Sequence, residues 1–61
     1  MNHEAHRARR YRFYAEELLA MADEDSHRRT RAMLIEVAQD YERMATSYEA
    51  IADTYRLLDE G

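Results

Sequence analysis

Large apolar residues return every seven positions through the second half of the chain. With Tyr41 set at heptad position a, that position holds Leu34, Tyr41, Tyr48 and Tyr55. Position d holds Val37, Met44, Ile51 and Leu58, and position e holds Ala38, Ala45 and Ala52. The first half repeats the scheme, with Tyr11 and Leu18 at a, Tyr14 and Met21 at d, and Ala15 and Ala22 at e. A stripe of a, d and e positions is the apolar face of a bundle helix, wider than a bare coiled-coil seam. "YRFYAEELLAMAD" (11–23) and "YERMATSYEAIAD" (41–53) share Tyr, three Ala and Asp at equal offsets. Two helices solving one packing problem, or a repeated helical unit, would each produce that likeness.

The two stripes are out of phase. Leu18 and Leu34 are sixteen residues apart, which at 100° per residue leaves them roughly 160° apart around a straight helix. A break resolves the conflict, and "DEDS" (23–26) is where it falls. Asp25 and Ser26 are both suitable N-caps for a second helix, although Arg28, Arg29 and Arg31 sit badly at its N-terminus. No Gly or Pro marks the break, so one continuous bent helix stays open as the alternative. The pattern predicts an all-α, antiparallel helical hairpin forming a single domain over 1–61: helix 1 over about 4–23, a break at about 24–26, and helix 2 over about 27–59.

Composition supports helix. The chain has ten alanines, no proline and a single glycine, its last residue, which favours helix almost everywhere and leaves no turn residues for a β fold. No cysteine is present to supply a disulfide or a thiolate metal site. No apolar run approaches a membrane span. A soluble, cytoplasmic protein is the expectation.

The two helices differ in length. With residue i opposite about residue 50−i across the turn, helix 1 covers helix 2 to about residue 46. Tyr11, Tyr14 and Tyr41 are then intrachain core, while Tyr48, Ile51, Ala52, Tyr55 and Leu58 lack cover from their own chain. Contiguous apolar surface of this kind marks an association site, and a chain of 61 residues buries little surface alone. These five residues are the candidate interface. A homodimer making a four-helix bundle is the expected occupant, with the alanines allowing close approach. Another protein docking through Tyr48, Tyr55, Leu19 or Ile35 is the variant of that reading.

Other chemistry is weaker. "EDSH" (24–27) has the Glu-x-x-His spacing of di-iron bundles, but no acid occupies the stripe between 11 and 22 or between 34 and 58. "HEAH" (3–6) sets His3 and His6 one turn apart, which suits a metal pair, so a metal-binding mini-bundle using His3, His6, Glu24 or His27 is one alternative. Arg7–Arg12 and Arg28–Arg31 raise a nucleic-acid reading. The net charge of −4 opposes it, and so does the nearness of residues 3–7 to the acidic segment beginning at Glu49. No nucleophile with a base and no phosphate-binding glycine loop is present, so the expectation is no enzyme, no cofactor and no resident metal.

The stripe residues carry a resemblance. Tyr11, Ala15, Glu16 and Leu18, followed after an acidic break by Arg31, Leu34, Ala38, Tyr41, Glu42, Arg43 and Ala45, resemble a group of short, mostly uncharacterised bacterial helical-hairpin proteins. The likeness spans about 11–45. It implies a small helical cytoplasmic protein and brings no activity, cofactor or partner with it.

Overall fold

A computed structural model describes residues 3–60, and the side chains of 3–59. Two helices, α1 (His3–Glu24) and α2 (Arg28–Glu60), pack against each other as a hairpin. The body measures 51 × 15 × 11 Å, long and one helix pair thick. Neither helix is long and apolar enough to cross a membrane, among the described residues.

The break falls at 25–27, one residue later than the pattern places it. The His27 carbonyl accepts the first backbone bond of α2, from the Arg31 N–H at 2.9 Å. His27 is therefore the N-cap, rather than Asp25 or Ser26. Asp25 acts from two residues upstream. Its Oδ1 accepts the His27 N–H at 2.7 Å and lies 3.0 Å from His27 Nδ1, a side-chain turn typical of Asp. The Asp25 N–H closes the end of α1 on the Ala22 carbonyl at 3.2 Å. Arg31 reaches back and donates Nη2 and Nε to the Asp25 carbonyl at 3.1 and 3.3 Å. One of the three arginines that looked misplaced at this terminus thus satisfies a turn carbonyl. Asp, His and Arg side chains here do the work that glycine does in most turns.

The centre of the packing is alanine. Ala8, Ala15 and Ala22 of α1, and Ala38, Ala45 and Ala52 of α2, are 0–6% exposed, and no larger side chain is fully buried among the described residues. These six residues all occupy position e. Position a flanks them, with Tyr11, Leu18, Leu34, Tyr41 and Tyr48 half-buried. Position d faces outward, which corrects the assignment of Tyr14 to the core: it is 41% exposed. At 100° per residue, a lies about 40° to one side of the alanine line and d about 100° to that same side, whereas b lies about 60° to the other. In an antiparallel pair, like-lettered positions share a face. The hairpin therefore has an a/d face and a b face.

The ring contacts follow this geometry. Tyr11 stacks between Tyr41 and Tyr48, with centroids 5.6 and 5.5 Å away and planes tilted by 23° and 13°. Tyr14 meets Tyr11 edge-on at 6.4 Å and Tyr41 at 5.7 Å. All four residues are a or d positions. Such pairs contribute about 0.5–1.5 kcal/mol each beyond area burial.

If alanine is required at the line, Ala45→Leu should destabilise by about 1–3 kcal/mol through overpacking. The same change at Ala50, which is exposed on α2, should stay within about 0.5 kcal/mol. Thermal unfolding followed by circular dichroism should show a melting temperature lower by several degrees for Ala45→Leu alone; equal curves would refute the alanine line.

Candidate interaction surface

Tyr48 and Ala52 are covered by their own chain, contrary to the expectation that helix 1 stops short of them. Tyr48 stacks on Tyr11 and carries the Arg7 guanidinium 5.8 Å above its ring. Ala52 is 6% exposed. Two effects extend the reach of α1. The turn sits one residue later, which moves the pairing from about 50−i to about 52−i. Helical side chains also lean toward their own N-terminus by about one residue. In an antiparallel pair both leans act in the same sense, so side chains meet nearer about 54−i. Tyr11, held between Tyr41 and Tyr48, fits that register.

The rest of the expected patch is exposed: Ile51 at 42%, Tyr55 at 54% and Leu58 at 70%. They do not stand alone. Tyr14, Met21, Val37 and Met44 are 38–54% exposed, and all are d positions on the same a/d face as Ile51 and Leu58. This face was missed because d was assigned to the intrachain core. The signal lay in the alanines. Had position e been taken as the centre of the seam rather than its edge, d would have pointed outward. The face is grooved in two places. One groove is lined by Asp40, Arg43, Met44, Ser47, Tyr48 and Ile51. The other lies at the turn end and includes Met21, Thr30 and Leu34 with a polar rim of Glu24, Asp25 and His27.

The b face is different in kind. Arg12 donates Nε and Nη2 to Glu49 Oε2 and Oε1 at 3.1 and 2.5 Å, a two-pronged ion pair between the helices. The pairing raises the Arg12 pKa and lowers that of Glu49, chiefly through the side-chain hydrogen bonds. Leu19 and Ile35 line a shallow depression on this face with Ala22, Asp23 and Arg31. Within α2, Arg43 pairs with Asp40, and Arg56 with Asp53 at 3.0 Å.

The polar candidates are dispersed. Glu24 ends α1 and His27 precedes α2, so "EDSH" has no continuous helical spacing, and the His27 ring is paired with Asp25. Among the described residues, no three His, Cys, Asp or Glu gather as a metal site. Arg7 and Arg12 are turned onto α2, while Arg31 is held at the turn. No protein-family model, curated protein or solved structure matches the chain.

Acid should loosen the hairpin. The Glu49 carboxyl lies below its ordinary 4.5, and that of Asp25 below 3.8, first through the His27 N–H. A depressed folded-state pKa stabilises above the ordinary value, and the contribution disappears as pH falls through the folded one. The melting temperature should therefore hold steady above about pH 5 and fall below about pH 4.5. Glu49→Gln and Asp25→Asn should each flatten that decline. Both groups are exposed, so the change is small, and a wild-type profile unchanged in both variants would rule the assignment out.

Proposed function

We propose that this chain is a small, cytoplasmic, self-associating helical protein that works through helix–helix contact, as a protein–protein interaction or regulatory module. The observation that carries the reading is the a/d face, where six large d side chains from two helices are aligned and exposed. Contiguous apolar surface is uncommon on soluble monomers. The internal packing is also thin, because among the described residues alanine alone is buried, and small domains of this kind are commonly stabilised by oligomerisation. A second hairpin laid on the face gives a four-helix bundle in two layers. A C2 contact makes one patch serve both copies.

The reading assigns no catalytic role and no cofactor. The resemblance to short bacterial helical proteins accords with it but names no activity. The interface consists of Tyr14, Met21, Val37, Met44 and Ile51, with Tyr55 and Leu58 beyond them. Tyr48 and Ala52 belong to the intrachain seam that supports it.

Sedimentation at micromolar concentration should give at least twice the chain mass of 7.3 kDa. Met44→Glu or Ile51→Glu should dissociate the assembly, whereas Leu19→Glu on the b face should leave its mass unchanged. A folded wild-type monomer under these conditions would overturn the proposal, and so would dissociation by Leu19→Glu alone.

A further inference from the structure

The self-association proposed above has two symmetric forms, and the length of α2 distinguishes them. Two hairpins stacked through their a/d faces can have their turns at the same end or at opposite ends. With turns together, each α2 lies above the other copy's α1, and the two α2 helices occupy diagonal corners. The α2 segments beyond Ala52 then project past both α1 helices, and Tyr55 and Leu58 stay exposed. With turns opposed, the two α2 helices lie one on the other, antiparallel along their whole length.

We infer that the second copy binds with turns opposed, so that Tyr55 and Leu58 of each chain fill the turn-end groove of the other. The midpoint of α2 (Arg28–Glu60) is Met44, a d residue on the exposed face. A two-fold axis there sets Met44 against its own copy. Val37 meets the second copy's Ile51, and Thr30 meets its Leu58, so the central contacts join d to d. Asp40 and Ser47, which border the central groove, come opposite each other and can hydrogen-bond reciprocally. The overhanging Tyr55 arrives beside the second copy's Leu34, a to a, and Leu58 at its Thr30. That position coincides with the groove containing Met21, Thr30 and Leu34. The Tyr55 hydroxyl ends near the polar rim of Glu24, Asp25 and His27.

Along α2, charge agrees with this arrangement. The α2 helix begins with Arg28, Arg29 and Arg31 and carries Asp53 and Asp59 around Arg56 in its last turns. Antiparallel α2 helices place basic start on acidic end, twice. The α1 helices do not add to this: an axis at Met44 lies level with about residues 8–10 of α1, so the Arg7, Arg9 and Arg10 clusters of the two copies adjoin. Charge therefore does not choose between the two forms; the overhang is what separates them.

The chain has no cysteine, so engineered disulfides report cleanly. A disulfide needs Cα atoms within about 7 Å, which helices at adjacent corners provide and helices at diagonal corners do not. In a glutathione redox buffer, Met44→Cys should form a covalent dimer, as should the double variant Thr30→Cys/Leu58→Cys. Ala50→Cys, away from the face, should remain unlinked. Helical content by circular dichroism confirms folding before each test. A wild-type dimer in which neither folded Met44→Cys nor the double variant cross-links would overturn the arrangement and leave self-association standing. A folded wild-type monomer would remove both.

Discussion

Close approach along a line of alanines governs this molecule. Three alanines from each helix occupy the space between the axes, and a methyl group is all that space accepts. Every larger side chain is displaced to one side or the other. On one side the tyrosines of position a lie over the seam, and the d residues stand beyond them. On the other side the b positions carry the Arg12–Glu49 pair. The hairpin is thereby two-faced: apolar and aromatic in front, ionic behind. Neither face could exist in this form if leucine occupied the seam, because the axes would separate and the d residues would turn inward.

Tyrosine suits the edge of such a seam. A tyrosine ring can cover small neighbours while its hydroxyl reaches solvent, so that no polar group is stranded. Among the described residues, no buried side-chain nitrogen or oxygen lacks a partner. The stack of Tyr11 between Tyr41 and Tyr48 also ties one turn of α1 to two turns of α2. It opposes sliding of one helix along the other, which uniform alanines alone would permit. Arg12 and Glu49 fix the same register from the opposite face.

The hairpin was legible from the heptads, the phase change between Leu18 and Leu34, and the absence of proline and internal glycine. The direction of the stripe was not. A stripe of a, d and e positions is more than 100° wide, and a two-helix contact uses less than that. Tyr14, Met21, Val37 and Met44 offer far more side-chain surface to bury than alanine does, and so size assigns d to the inside. Steric fit decides otherwise, because the closest approach requires the smallest residue rather than the most apolar one. The reach of α1 was underestimated for a second geometrical reason: a count of residues across the turn ignores the lean of side chains. The role of Arg31 could not be read from charge, since it depends on the orientation of the Asp25 carbonyl.

A stripe wider than one contact has room for two. Its alanine edge joins the helices of a single chain, and its d edge is left for something else. Charge is arranged in four blocks along the chain, alternately basic and acidic, and folding back sets opposite signs side by side. Along α2 the same alternation is satisfied again when a second antiparallel copy is added, but charge says little about the direction of that copy. Direction requires an element without internal symmetry. The extra length of α2 is that element, because its apolar end and the groove at the turn are complementary only when the copies lie head to tail. In that arrangement the unequal helix lengths, which leave one hairpin incomplete, let two complete each other.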